Sequence, residues 1–492
     1  MSDFAYTRLT ALDRTFLIYE GPNSPMHVGA VAILEGGSLR GDGHAIDFER
    51  ILEYVASRLH LIPRYRQRVE PAPVDRHPIW VDDAHFNLRY HVRHTRLPRP
   101  GSERILKRTC ARILEQRLDL HKPLWELWLV EGLEGDRVAL VNKTHHCMID
   151  GVSGVDLMSV LLTPEPTEKV EPPPVWLPRR PPTALEYAAS EAALRLTEPL
   201  AAARAIGRIV TDQDHARGEL LERLRAVGHL VASAISGTTS TPLNQPIGPH
   251  RRFDWLPMSL DDVGVVRAHL GGSVNDVVLA VVAGAIRRFF KHVRLTDPDG
   301  LEFKVIAPVS VRDPRERGHS GNRVAVWFVP LPIGERDPLV RLERVRQTTE
   351  ELKRRHEALG SETLTQAIEW LGATPISLGA RAIETAPPFN MVVTNVPGPR
   401  GPLHLLGARM LEAHPMMPLL GSLSVGIALF SYGRTISWGF TADWELVPDL
   451  HELVLAVQHS FQQLLDRARS SPLPEPAAKA PHARRSSRRQ GA

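Results

Sequence analysis

Val138-Ala139-Leu140-Val141-Asn142-Lys143-Thr144-His145-His146-Cys147-Met148-Ile149-Asp150-Gly151 is the stretch that decides how this chain is read. Its first seven residues are mostly apolar, follow a Glu134-Gly135-Asp136-Arg137 turn, and predict a strand paired with Leu124 to Leu133. Side chains alternate along a strand, so His146 shares a face with Val138, Leu140, Asn142 and Thr144, and His145 points the other way. Asp150-Gly151 is a turn signal. Ser153-Gly154-Val155-Asp156 then has the form of a capping box opening a helix to about Leu162.

Two adjacent histidines on a strand cannot easily grip one metal ion. The chain has only Cys110 and Cys147, with no H-E-x-x-H or C-x-x-C pair, so no metal site is expected. Imidazole titrates nearest neutrality, which suits one histidine to proton transfer with Asp150 as a fixed neighbour. The bland alternative is a structural histidine followed by an ordinary turn. Cys147 reads as a small apolar filler rather than a nucleophile.

Later motifs have local explanations of their own. Ser273 can cap a helix with the apolar body Val277 to Ala283, and Asp276 suits the positive end of its dipole. The cap does not need Asn275, which is therefore free for a further role. Pro397-Gly398, after the strand-like Asn390 to Thr394, suits the centre of a type II turn. Pro123-Leu124-Trp125 begins a strand and is expected to bury its tryptophan.

At 492 residues, 43% hydrophobic and 24% charged, the composition is globular and the length suits two or three domains. The net charge of +4 resides in the tail from Ser471, where Lys479, Arg484, Arg485, Arg488 and Arg489 face Glu475 alone. That tail reads as disordered, with attraction to anionic phospholipid as its functional option. No recognition fold accompanies the charge, so nucleic acid is not expected as a partner. No signal peptide precedes Leu9 and no run of 18 apolar residues occurs, so a cytoplasmic protein, at most peripheral to a membrane or lipid droplet, is expected.

A proline-rich break runs from Thr163 through Pro172-Pro173-Pro174 to Pro182. The expected division is 1–163, a connector at 164–247, a second domain at 248–470 and the tail at 471–492. Within the connector, Leu220, Leu221, Leu224, Val227, Val231 and Ile235 form a helical stripe that packs on the body or meets a lipid surface. The second domain mixes helices at about Ser259 to Leu270, Asn275 to His292, Leu339 to Ala358, Ser361 to Leu371 and Asp449 to Ala468 with strands at Phe303 to Val311, Val324 to Leu331, Leu423 to Tyr432 and Thr435 to Ala442. Tyr432-Gly433-Arg434 is a hairpin signal between the last two strands.

The segment from Pro123-Leu124-Trp125-Glu126 through His145-His146-x-x-x-Asp150-Gly151 resembles the wax ester synthase/diacylglycerol acyltransferase family, within the wider group carrying HHxxxDG. Leu12-Asp13-Arg14-Thr15-Phe16-Leu17, Pro25-Met26-His27-Val28-Gly29, Pro242-Leu243-Asn244, Ser273-Val274-Asn275-Asp276, Gly321-Asn322 and Asn395-Val396-Pro397-Gly398-Pro399 extend the resemblance, in the family's order, over about residues 5 to 468. The resemblance implies an α/β fold of two pseudo-equivalent acyltransferase domains joined by a crossover, with the active site between them. It implies His146 as general base, His145 in support, and Asp150 holding the loop and the imidazole. Gly151, Asn275, Asp276, Pro123, Leu124, Trp125, Asn395, Pro397 and Gly398 would shape the site. The implied reaction moves an acyl group from acyl-CoA to diacylglycerol or a long-chain alcohol, with no metal or bound cofactor. A carrier-dependent condensation enzyme, which shares HHxxxDG, and a lipid-binding or droplet-coating protein without turnover are the alternatives. His145-x-x-x-x-Asp150 also fits glycerol-phosphate acyltransferases, which lack the other motifs.

Overall fold

The computed structural model describes residues 4–41, 45–149, 157–193, 238–310, 324–359 and 389–472. Asp150, Gly151, the box at Ser153 to Asp156, the stripe at 220–235, Gly321-Asn322, the predicted helix from Ser361 and the tail beyond 472 lie outside these residues. The strands are β1 (Thr7–Arg8), β2 (His27–Glu35), β3 (Gln67–Pro71), β4 (Pro78–Asp82), β5 (Val92–Arg96), β6 (Trp125–Leu133), β7 (Arg137–His145), β8 (Arg251–Ser259), β9 (Phe303–Ser310), β10 (Val324–Leu331), β11 (Met391–Val396), β12 (His404–Leu405), β13 (Ala408–Met416), β14 (Val425–Tyr432) and β15 (Thr435–Asp443). The α-helices are α1 (Ala11–Tyr19), α2 (Phe48–Arg58), α3 (Leu88–His91), α4 (Glu103–Glu115), α5 (Leu157–Leu161), α6 (Leu260–Leu270), α7 (Val274–His292), α8 (Pro338–Leu359) and α9 (Leu450–Ser470).

The first sheet has the order β12-β13-β2-β7-β6-β5, with β7 antiparallel to both β2 and β6. Gly135 and Asp136 make the β6–β7 turn in left-handed conformations that glycine and aspartate tolerate. Val138 and Leu140 pack in the layer of Ile51 and Val55 from α2 and Leu157 and Leu161 from α5. Ala139 and Val141 meet Leu106, Cys110 and Leu114 of α4. Both faces are covered, which is why Val138 to Val141 are apolar without a break.

The second sheet runs β10-β9-β11-β14-β15-β8 and carries α7 and α9 in its main core. The predicted capping box is present: the Asp276 amide donates to Ser273 Oγ at 3.2 Å and the Ser273 amide to Asp276 Oδ2 at 2.7 Å. Tyr432 pairs with Thr435 across the Gly433-Arg434 loop, the hairpin read from sequence. Among the described residues no single helix is long and apolar enough to cross a membrane.

The crossover is made by β12 and β13. Though late in the chain, β13 pairs with β2 from Met410↔Leu34 to Met416↔Gly29. It also lies against the second sheet: a Cβ on Gly439 of β15 would sit 1.9 Å from the Pro415 carbonyl oxygen. Trp255 of β8 stacks on His414 at 4.3 Å, and His414 Nδ1 meets Ser437 Oγ at 2.6 Å. The division at 163 and 247 thus separates the chain without separating the sheets.

Candidate active site

The strand ends one residue earlier than the alternation argument needs. His145 is the last residue of β7, paired in register with His27 of β2, and both are fully buried. His146 opens a 3-10 turn, His146–Met148. Its amide donates to the Met26 carbonyl at 2.8 Å and that of His145 to the Leu124 carbonyl at 2.9 Å, so the neighbouring chains set where the turn begins.

The two imidazoles still face opposite ways. His145 Nδ1 accepts from the Cys147 amide at 3.2 Å, which leaves its proton on Nε2. That nitrogen lies 3.4 Å from Glu20 Oε2, within ion-pair reach though short of hydrogen-bond geometry. His146 is half-buried and stacks on Phe16 of α1 with ring centroids 3.8 Å apart. Phe16 belongs to the layer that covers Val138 and Leu140, so His146 does lie on that side of the sheet. Its Nδ1 is buried without a hydrogen-bond partner among the described residues.

Burial sets the protonation states. It lowers His146 to about 4, with the neighbouring His145 adding a smaller push in the same direction, and it lowers His27 to about 3. Both rings are neutral at physiological pH. Burial alone would raise Glu20, but the neighbouring His145 and the Met26 amide, which donates to Oε2, outweigh it and hold the carboxyl at about 2. Arg117 Nε adds a bond to Glu20 Oε1 at 3.1 Å. Burial raises the Cys147 thiol well above its ordinary range, consistent with a filler.

Sequence reading missed Glu20 altogether, because nothing local marks a carboxylate that acts on a strand far along the chain. It also missed Lys143 as a buried cation. Lys143 Nζ donates to the Ile113 and Gln116 carbonyls and pairs with Glu126 Oε2 at 2.9 Å. Arg93 pairs with the other oxygen of Glu126, also at 2.9 Å.

The remaining predicted residues fall into two groups. Pro123, Leu124 and Trp125 are buried beside the end of β7, where Trp125 Nε1 donates to the Tyr65 carbonyl at 2.7 Å and the ring stacks on His91. Asn275 and Asn395 meet each other, Asn395 Nδ2 donating to Asn275 Oδ1 at 2.8 Å, and neither bonds to His146. Asp276 also accepts from Thr349 Oγ1 at 2.7 Å, so its oxygens serve the helix start and α8. Pro397 is exposed, and the expected type II turn is not formed, because Gly398 lacks the positive φ it requires. Glycine is needed at 398 for another reason. A Cβ there would lie 2.0 Å from the Ser431 carbonyl oxygen and 2.5 Å from the Phe430 ring.

A partly exposed neutral imidazole beside a sealed one thus sits in a two-lobed fold held together by a strand crossover. The family models of the wax ester synthase/diacylglycerol acyltransferase catalytic domain and the WS/DGAT C-terminal domain match residues 9–278 and 320–465. A provisionally named Mycobacterium tuberculosis diacylglycerol O-acyltransferase, MT1809, is 31% identical over 95% of this chain and 92% of its own. The tgs1 protein of the same organism, also provisionally named a diacylglycerol O-acyltransferase, is 29% identical over 93% and 95%. Among solved structures, the wax ester synthase/diacylglycerol acyltransferase of Marinobacter aquaeolei VT8 shares the fold with a TM-score of 0.66 at 24% identity, over 94% of this chain and all of the other. A starter condensation domain of rhizomide synthetase, solved with C8-CoA and Leu-SNAC, has a TM-score of 0.56 at 12% identity, over 95% and 96%. The chain belongs to the wax ester synthase/diacylglycerol acyltransferase family and is an acyltransferase of that class.

Proposed function

We propose that this enzyme moves a long-chain acyl group from acyl-CoA to diacylglycerol, with long-chain alcohols as a second acceptor, and that His146 is its general base. The observation that carries the assignment is the contrast between the two histidines. His145 is sealed and tied to Cys147 and Glu20, whereas His146 is partly open and held neutral. A base must be neutral to accept a proton, and burial keeps His146 so.

His146 Nε2 takes the hydroxyl proton as the acceptor oxygen bonds to the thioester carbonyl carbon. The tetrahedral oxyanion collapses, the C–S bond breaks, and the departing thiolate takes the proton back from the imidazolium. The products are the ester and free CoA. With Nε2 as base, the ring proton sits on the buried Nδ1, and Asp150 is the carboxylate we assign to hold it. Asn395 engages Asn275 Oδ1, which leaves the Asn275 amide group to donate toward the oxyanion. No serine in a G-x-S-x-G elbow is at hand, so transfer is direct, and acyl-CoA enters as substrate rather than as a resident cofactor. In this reading the enzyme works in the cytoplasm and meets its lipid acceptors at a membrane or droplet surface.

The test is release of free thiol from palmitoyl-CoA, with and without dioleoylglycerol or hexadecanol, in wild type, His146→Ala and His145→Ala. Acceptor-dependent release, abolished in His146→Ala and less affected in His145→Ala, is expected. Equal release in wild type and a folded His146→Ala would refute the base. No release with any lipid alcohol would move the weight to a carrier-linked transferase or a lipid-binding role.

A further inference from the structure

Phe16 lies in the last turn of α1 and Glu20 directly follows the helix, and each addresses one of the two histidines. The Phe16 ring lies nearly parallel to the His146 imidazole, with centroids 3.8 Å apart and 20° between the planes. Glu20 Oε2 faces His145 Nε2 at 3.4 Å and accepts from the Met26 amide at 2.5 Å, while the Met26 carbonyl takes the His146 amide. Residues four apart share one face of a helix, so α1 presents both contacts to the end of β7 together. The helix is held at both ends. Thr10 Oγ1 accepts from the Asp13 amide at 3.1 Å, the Glu20 amide donates to the Phe16 carbonyl at 3.1 Å, and the strand before the helix, β1, pairs with β4.

The Met26 carbonyl sets the His146 backbone, but the torsion that turns an imidazole about its Cβ–Cγ bond has broad wells and does not by itself choose a ring plane. Among the described residues no hydrogen bond reaches His146 Nδ1. A ring nitrogen's lone pair lies in the plane of the ring, so the same torsion decides the direction in which Nε2 accepts a proton. A flat ring in van der Waals contact with the imidazole face leaves it one plane. Phe16 is itself partly buried against the layer formed by α2 and α5, which keeps it over His146. The contact also denies one face of the imidazole to water, and a desolvated ring resists becoming an imidazolium.

We propose that Phe16 is a positioning residue for His146: its ring sets the plane of the imidazole, and so the line along which Nε2 meets the acceptor hydroxyl, and it closes one face of the base to water. The inference rests on the reading of His146 as base given above and adds what aims it. The titratable and charged groups around the turn are His145 on β7, Asp13 on α1, Glu20 after it, Arg64 in the turn Pro63–Arg66 and Cys147, with Asp150 assigned above to Nδ1. Replacing Phe16 leaves every one of them in place.

Phe16→Ala, Phe16→Leu and Phe16→Tyr are compared with wild type by the nuclear magnetic resonance titration of His146 in histidine-labelled full chain, assigned against His146→Ala, and by the pH profile of acyl transfer, with melting temperature as the folding check. In Phe16→Ala we expect the ring to titrate nearer 6.5 than the wild-type value of about 4. At pH 8, where the ring is neutral in every variant, kcat should fall roughly tenfold, a share of the ~10²- to 10⁴-fold that a general base supplies, with KM for palmitoyl-CoA unchanged. Phe16→Tyr keeps the flat face and should restore both. Phe16→Leu keeps apolar contact with the α2 layer but offers no flat face, so its titration should stay low while kcat falls, and it carries the test where the alanine variant does not fold. A midpoint in folded Phe16→Ala that stays near 4 or drops overturns the proposal, as does an unchanged kcat at pH 8 in folded Phe16→Ala or Phe16→Leu. So does a Phe16→Tyr enzyme as slow as the alanine variant. The ring titration needs no turnover, so a midpoint that moves in a protein without acyl transfer would keep the contact and sink the base instead.

Discussion

With His146 as the proposed base, activity should persist well below the pH at which an ordinary histidine fails. Burial lowers its pKa from the usual 6.5 to about 4. At pH 5 an imidazole titrating at 6.5 is only about 3% neutral, whereas one at about 4 is about 90% neutral. The sign is fixed by the chemistry: the neutral form is the base, so activity is full above the folded pKa and is lost as pH falls through about 4. The assay is kcat/KM for palmitoyl-CoA with dioleoylglycerol from pH 4 to 8. Stability runs beside it, because His27, His91 and His146 are all buried neutral and lowered, to about 3, 4 and 4. Each contributes stability that is present above the unfolded value of 6.5 and is lost as pH falls below it. At pH 5 that loss is about 2 kcal/mol per histidine, or about 6 kcal/mol for three, a large share of the ~5–15 kcal/mol typical of a folded domain. Near-ultraviolet circular dichroism at each pH is therefore needed to normalise rates to folded protein. A normalised acid limb with its midpoint near 6.5 would refute the argument, since it would mean that His146 titrates as though in water.

Glu20→Gln removes the charge that faces His145 Nε2 while keeping the side chain's size. We expect a loss of about 1–3 kcal/mol in urea unfolding, the scale for an unsatisfied buried group, with kcat falling more than KM for either substrate. Unchanged stability and kcat would show that His145 needs no anchor. Gly398→Ala puts a methyl group 2.0 Å from the Ser431 carbonyl, backbone that cannot swing aside, and should cost about 1–3 kcal/mol in the same unfolding assay. Wild-type stability would mean that β11 and β14 separate freely at that point.

The strand into the histidines, the start of α7 and the β14–β15 hairpin were legible because each is dictated locally: a two-sided apolar run, a serine with an acid three residues on, a glycine in a two-residue loop. β8 and β13 were not. Arg251-Arg252-Phe253-Asp254-Trp255 alternates charge with aromatics and leads to Pro257, and β13 carries Glu412, His414 and Pro415, so neither looks like a core strand. Both run along the seam between the sheets, where polar side chains find partners across the gap, His414 with Ser437 and Asp254 with Lys107. Propensity describes a strand's own residues and is silent about such partners. The same limit hid Glu20, and it led the Pro397-Gly398 pair to be read as a turn when the glycine is required by a neighbouring carbonyl.

The adjacent histidines divide two incompatible requirements. A base needs an accessible lone pair, and a base on a turn needs that turn fixed. One imidazole cannot do both, because every bond that fixes a ring nitrogen occupies it. His145 is turned to fixing: its Nδ1 accepts from the Cys147 amide inside the 3-10 turn, and its Nε2 faces Glu20. His146 is then positioned through its backbone, by the Met26 carbonyl, and through its ring face, by Phe16, which leaves Nε2 uncommitted. Met26 and Phe16 come from the first turns of the chain, while Arg251, on the second sheet, secures Asn23 between them and the histidines' partners. The loop that carries Met26 is thus tied to the second sheet as well as to the motif, so the setting of His146 draws on both lobes.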